Sequence, residues 1–357
     1  MIQATHELLK EKIRESDLDS LLIGKQSNVR YATGFTGDFG FVAISQEKPV
    51  LFTNPLYSEH ACSTISESFT VIEVKNDAFK VMADLGISLW GKRVGFESES
   101  TICSDFEKMK AAFKGIELIS TVGMIEELRL VKNSAEIQSI TRAQRIAEKV
   151  FSEILEFVRE GMQEREIACE IDYRFRKSGG ERSAFETIVA FGQNSSKPHA
   201  IPTEKKLKNG EIVLFDIGTV CNGYASDMTR TVVFGKADSK LKDIYSTVYE
   251  AQEAALDGIR SGMQCTDADK LARKVIEHAG HGDNFVHSLG HGVGLEVHES
   301  PLLSPRSESI LKKNSVVTVE PGIYYPNWGG VRIEDMVVIT DSGCENLTRA
   351  PKNLIEL

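Results

Sequence analysis

The segments EGMQEREIACEIDYRFRKSGG (160–180) and SGMQCTDADKLARKVIEHAGH (261–281) align without a gap. Gly161-Met162-Gln163 matches Gly262-Met263-Gln264, and Gly179 matches Gly280. Apolar positions coincide too, Ile171 with Ala272 and Phe175 with Ile276. Each segment follows an amphipathic stretch, reads as a helix, and ends at glycine, the residue best able to take the left-handed C-terminal cap. Strands follow each helix pair, TIVAFG (187–192) and EIVLFDIG (211–218) in one case, SVVTVEP (315–321) and VRIEDMVVIT (331–340) in the other. The pattern predicts an α+β domain built from a duplicated helix–helix–strand unit. Its chemistry belongs at the interface of the two halves, where clefts form.

Upstream of the first copy, Asn133 and Ser134 offer capping chemistry before a long amphipathic stretch, Ala135 to Arg159. The domain boundary is placed near residue 131, giving domains 1–130 and 131–357. The first part alternates helix and strand patterns. HELLKEKIRESDLDSLLIG (6–24) is helix then strand, and FGFVAIS (39–45), PVLFTN (49–54) and KRVGFE (92–97) are strands. That rhythm is that of a small α/β domain.

With 357 residues, 41% of them apolar, the chain has enough material for two domains with substantial cores. A net charge of −10 argues against nonspecific nucleic-acid binding, which rests on basic surface. The N-terminal MIQATHELLKEKIRES lacks the apolar core of a signal peptide, and no stretch approaches the roughly 20 apolar residues a membrane span requires. Cys62, Cys103, Cys169, Cys221, Cys265 and Cys344 are scattered, without a CxxC, which suits reduced thiols better than a disulfide framework or zinc site. The expectation is a cytoplasmic protein with neither membrane nor nucleic acid as partner.

FDIGTVCNGYASDMTRT (215–231) places Asp216 at the end of an apolar run and Asp227 across a turn from it. Asn222-Gly223 is a strong hairpin signal. A two-residue loop there sets Cys221 opposite Tyr224 and Asp216 opposite Thr229, with Asp227 a diagonal neighbour of Asp216, roughly 7–8 Å away on the same face. Two such carboxylates repel unless a cation or proton lies between them. Matching groups occur elsewhere. VHSLGHGVGLEVHES (286–300) holds His287, His291 and His298. VVTVEPGIYY (316–325) ends a strand on Glu320, SSKPHAIP (195–202) contains His199, and GGVRIEDMVVIT (329–340) inserts Arg332, Glu334 and Asp335. Strand alternation lets only one of Glu334 and Asp335 face a common site. Four carboxylates gathered there would be neutralised by two divalent cations. Oxygen ligation with one imidazole suits manganese, cobalt, iron or zinc. Such a pair lowers the pKa of a water and orients it as a nucleophile.

PHA, FDIG…SDMTRT, HSLGHGVGLEVHE, VEPGIY and VRIEDMV, in this order, resemble the motif series of the pita-bread metallopeptidases, which include methionine aminopeptidase, aminopeptidase P, prolidase and creatinase. The resemblance runs from about residue 131 to residue 357. It implies that Asp216 binds one metal, His291 and Glu320 the other, and that Asp227 and Glu334 bridge both, the ions being manganese or cobalt, or else zinc or iron. It further implies that Glu320 relays a proton from water to the leaving amine, and that His199, His287 and His298 hold the substrate and stabilise the tetrahedral intermediate. Arg332 would orient a metal-binding carboxylate. SNVRYATGFTG (27–37) resembles the N-terminal domain that methionine aminopeptidase lacks, which points to cleavage before proline in a proline-containing peptide. Many prolidases carry an arginine just after HE-x-P, where this chain has Leu302 in HESPLLS. The expected activity is therefore that of a Xaa-Pro aminopeptidase, with prolidase as the alternative. The resemblance also implies a homodimer. Metal-free binding proteins and creatinase-type hydrolases of the same fold should have lost ligands, and no ligand position is vacant here.

Overall fold

The structure, a computed structural model, describes residues 2–65 and 69–357. Two compact units are present, Met1–Arg129 and Leu130–Leu357. In the first, β1 (Ser20–Ile23), β2 (Phe41–Ser45), β3 (Val50–Thr53), β4 (Thr70–Glu73), β5 (Arg93–Glu97) and β6 (Glu117–Thr121) form one sheet in the order β4-β3-β2-β1-β5-β6. Alternation along β1 explains its two cores: Leu21 and Ile23 pack with Leu9, Ile13, Val42 and Ile44, whereas Leu22 joins Phe52, Trp90 and Phe96 on the other face.

The second unit opens with a capping box. Asn133 accepts the N–H groups of Ala135 and Glu136 at 3.0 and 3.1 Å, and Glu136 accepts that of Asn133 at 2.8 Å. Helix Ser134–Phe157 and helix Glu164–Lys177 then pack on an antiparallel sheet, β11-β8-β7, made of β7 (Ile188–Phe191), β8 (Glu211–Ile217) and β11 (Met228–Phe234). Phe151, Ile154, Ile171 and Phe175 meet Val189, Val213 and Phe215 in its core. Helices Ser239–Gly258 and Cys265–His278 repeat the arrangement on a sheet ordered β13-β12-β14-β17-β18. Its strands are β12 (Gly290–Gly292), β13 (Glu299–Leu303), β14 (Val316–Val319), β17 (Asp335–Ile339) and β18 (Cys344–Asn346).

The duplication extends to single hydrogen bonds. The Gly161 N–H reaches the Leu207 carbonyl and the Leu207 N–H returns to Met162, each at 2.9 Å. Gly262, Leu311 and Met263 repeat both bonds at 2.9 Å. All four matched glycines have positive φ: 86° and 81° at Gly161 and Gly262, 95° and 84° at Gly179 and Gly280. These ties fix where each following strand starts, so Asp216 on β8 and Glu320 just past β14 lie equally far beyond Leu207 and Leu311.

β8 and β11 pair with Asp216 opposite Thr229, and the small ribbon of β9 (Val220–Cys221) and β10 (Tyr224–Ala225) continues the same register to a tip at Asn222 and Gly223. Both tip residues have positive φ, 51° and 81°, as a type I′ turn requires. The expectation of one strand through VRIEDMVVIT needs correction. β16 (Gly329–Arg332) pairs with β15 (Gly322–Tyr325), and β17 pairs with β14. Between them the Glu334 N–H leaves the ladder and donates to the Thr229 carbonyl at 3.1 Å. This break carries the chain from one ladder to the next and brings Glu334 beside β11. Among the described residues no helix is long and apolar enough to cross a membrane. All six cysteines are free.

Candidate active site

Side chains from both halves of the second unit converge. Asp216, Asp227 and Glu334 are buried, and the side chain of His291 is only 12% exposed. Donor atoms of Asp227, His291 and Glu334 all lie within 4.8 Å of one another. His291 Nε2 is 3.6 Å from Asp227 Oδ2 and 3.3 Å from Glu320 Oε1. Its Nδ1 faces the Gly292 carbonyl at 3.1 Å, and a carbonyl can only accept, so that nitrogen carries the ring proton. The lone pair on Nε2 therefore points at carboxylate oxygens. Asp216 Oδ1 and Glu334 Oε1 are buried without a hydrogen-bond partner. Acceptors buried face to face in this way are stable only with cations or protons between them. The donor set, four carboxylates and one neutral imidazole, fits a divalent metal.

The proton affinities record the same strain. Burial, and then the charges of Glu334, Asp216 and Glu320, holds Asp227 well above the usual carboxylate range. Burial, and then Glu320 and Asp216, does the same to Glu334. Glu320 is pushed up to about 7 by burial, against the pull of Arg332. Burial lowers His291, leaving it a neutral ligand at ordinary pH.

Fixed donors hold three of the four acids. Arg332 Nη2 donates to Asp216 Oδ2 at 2.6 Å, and Arg332 Nε donates to Thr229 Oγ1 at 2.9 Å. Thr229 Oγ1 in turn donates to Glu334 Oε2 at 2.7 Å. Thr318 Oγ1 donates to Glu320 Oε1 at 2.9 Å while accepting the His291 N–H at 3.0 Å. Burial opposes the charge of Arg332, but Tyr324, Asp216, Glu320 and Glu334 outweigh it and raise its pKa further.

His287 has both nitrogens engaged. Nδ1 donates to the Ser288 carbonyl at 2.8 Å, and Nε2 accepts from the Tyr324 hydroxyl at 2.9 Å. That hydroxyl accepts from Arg332 Nη1 at 2.8 Å. Burial first, and Arg332 next, brings His287 down to about 3, so the ring stays neutral. His298 lies at the solvent side, its ring centroid 4.3 Å from that of His291. His199 is exposed, on a loop whose Pro198 carbonyl accepts from Arg332 Nη1 at 3.3 Å. The structure thus gathers Asp216, Asp227, Glu320, Glu334, His287, His291, His298 and Arg332, and sets His199 on the loop that touches Arg332, whereas Asp335 turns away to pair with Arg230 at 2.7 Å. Sequence reasoning missed Tyr324, Thr229 and Thr318. Thr229 was found as the partner of Asp216, yet the hydroxyl's role needed the third dimension. Tyr324 sits in an apolar run and reads as core.

Comparison with known proteins agrees with this picture. Residues 138–341 match the metallopeptidase family M24, and residues 6–131 match the creatinase/prolidase N-terminal domain. A solved structure described as a Xaa-Pro dipeptidase from Bacillus anthracis is 38% identical, with a TM-score of 0.96 over 100% of both chains. The X-Pro aminopeptidase from Thermotoga maritima is 37% identical, with a TM-score of 0.91 over 97% of this chain and 100% of that one. The Xaa-Pro dipeptidase of Pyrococcus furiosus is 36% identical over 356 residues, 98% of this chain and 99% of its own.

Proposed function

The chain belongs to metallopeptidase family M24, with a creatinase/prolidase-type N-terminal domain before a pita-bread catalytic domain, and from that premise we propose that it is a Xaa-Pro dipeptidase. The observation that carries the reading is the cluster of buried carboxylates and one imidazole at the meeting of the two halves, with two carboxylate oxygens left without a partner, in a chain whose relatives include Xaa-Pro dipeptidases matched over nearly their full length. This choice moves away from the aminopeptidase expectation, because dipeptidases are better represented among the relatives and solved structures.

Asp216, Asp227, His291, Glu320 and Glu334 would hold two divalent ions, manganese or cobalt by preference. Ions bound there would polarise the scissile carbonyl and acidify a water. Glu320, at the edge of the acid cluster with Oε1 3.3 Å from His291 Nε2, would take a proton from the attacking water and hand it to the leaving nitrogen. A Xaa-Pro bond has no N–H to donate, and its nitrogen, like that of any amide, leaves only once protonated. His199 and His298, at the open side, are suited to contact substrate oxygens. His287 acts through Tyr324 on Arg332, and so on the aim of Asp216.

A second reading, Xaa-Pro aminopeptidase, is favoured by Leu302. It lies directly opposite His291 in the β12–β13 ladder, so both side chains share a face, and it offers no charge to a dipeptide's free carboxylate. Metal-loaded protein assayed on a Xaa-Pro dipeptide and a Xaa-Pro-Yaa tripeptide separates the two. Cleavage of the dipeptide alone is the expected result. Turnover of the tripeptide with the dipeptide untouched would replace the proposal by the aminopeptidase, and full activity after chelation would remove both.

A further inference from the structure

Two buried carboxylates outside the acid cluster sit on the second helix of each half. Glu164, fully buried in the first turn of helix Glu164–Lys177, accepts from the Phe191 N–H at 2.7 Å, from Asn194 Nδ2 at 2.9 and 3.1 Å, and from the N–H and hydroxyl of Thr203 at 2.8 and 2.6 Å. Its partners lie on both sides of His199. Asp269, fully buried on helix Cys265–His278, accepts from the Leu289 N–H at 3.1 Å and pairs with Arg273 at 2.7 and 3.0 Å. Arg273 then donates to the Phe285 and His287 carbonyls at 3.0 and 2.8 Å, and its guanidinium lies 4.1 Å from the centre of the Phe285 ring. These partners lie on both sides of His287. The two acids are not in equivalent positions of the repeat, since Glu164 aligns with Cys265, but they stand one helical turn apart on the same face.

A well-packed apolar residue is often as stable as a buried carboxylate, so a carboxylate kept in such a place points to a role in geometry: Glu164 bonds only to the segment around His199, and Asp269 reaches the segment around His287 directly at Leu289 and through Arg273. We infer that Glu164 and Asp269 are positioning residues, each clamping the loop that brings one histidine of its own half, His199 or His287, to the site. The inference rests on the reading of those histidines given above.

The test is a set of double-mutant cycles with an exchange measurement beside them. Glu164→Gln lowers kcat/KM by about ten- to a hundred-fold, the scale of a small misplacement of a contacting group, with metal content unchanged. In a His199→Ala background the same change costs almost nothing further, while in a His287→Ala background its cost is undiminished. Asp269→Asn shows the mirror-image pattern. Residues that act as a unit are non-additive in this way, whereas general destabilisation adds in every background. Hydrogen exchange gives a readout that needs no turnover: Glu164→Gln speeds exchange in 192–203 and not in 286–289, and Asp269→Asn does the reverse. Should Glu164→Gln fail to fold, Thr203→Val removes one hydroxyl bond to the same carboxylate and predicts a weaker effect of the same pattern. Additive costs in both backgrounds, or loosening of both loops by either change, overturns the clamp. Wild-type protein inactive on every Xaa-Pro peptide would sink the peptidase reading instead, and the exchange pattern would still decide the clamp.

Discussion

Asp227 has every reason to be neutral in the metal-free protein, being buried beside three other acids. Asp227→Asn is therefore expected to move stability and function in opposite directions. Metal content by elemental analysis and peptidase activity fall together, activity by more than about a hundred-fold, a loss of roughly 3 kcal/mol or more in transition-state stabilisation. The metal-free variant is more stable than metal-free wild type, by about 1–2 kcal/mol at neutral pH, because asparagine is buried uncharged without having to take up a proton on folding. A variant that retained both ions and the wild-type rate would contradict a bridging role. Leu302 offers a second test. Leu302→Arg adds a cation on the face of His291, and a charge-assisted bond to a free carboxylate contributes about 1.5–3 kcal/mol. The ratio of kcat/KM for dipeptide over tripeptide should rise about ten-fold or more, measured with paired substrates. At this scale the acids and histidines were legible because carboxylates that interrupt buried strands have few roles. Glu164 and the Asp269–Arg273 pair were not. A glutamate in a first helical turn reads as a partner of the helix dipole, and an Asp–Arg pair four apart reads as a surface bridge.

Elements in this fold are held in place by local devices that can be tested singly. Asn133→Ala removes the two bonds that the Asn133 side chain accepts and should cost about 1 kcal/mol in urea denaturation. Gly179 and Gly280 cap equivalent helices at φ 95° and 84° with open space where a Cβ would stand, so steric crowding contributes nothing. Alanine at either should cost about 1 kcal/mol through backbone conformation alone, with metal content and kcat unchanged. Helix ends, the hairpin register and the duplication were readable because capping residues, Asn-Gly and matched glycines act over a few positions. The break between β16 and β17 was not. IEDM is a plausible continuous strand, and only the Glu334 N–H turning to Thr229 on another strand interrupts it. A local pattern carries no record of that competing partner.

On the scale of the whole molecule, the clustered acids set a pH dependence whose sign reverses with metal. In the metal-free protein Glu320 is raised from an ordinary 4.5 to about 7, and Asp227 and Glu334 are raised as well. A raised pKa in the folded state stabilises fully below the unfolded value and less as pH rises through the folded one. Metal-free protein should thus lose melting temperature as pH rises from about 4.5 past about 7. Metal binding displaces those protons, so the increment in melting temperature on adding Mn²⁺ should grow over the same window. Calorimetry with and without chelator checks both signs; an increment that shrank with rising pH would remove the acids from the binding site. The chain's division of labour has a further consequence. Asp216 and Asp227 are supplied by one copy of the repeat, His291, Glu320 and Glu334 by the other, so neither copy alone owns a full set of donors. Covalent linkage turns what would be a concentration-dependent encounter of two weak chelators into an intramolecular one, at effective concentrations on the order of millimolar. The enzyme can therefore be diluted without losing the geometry that gathers its donors.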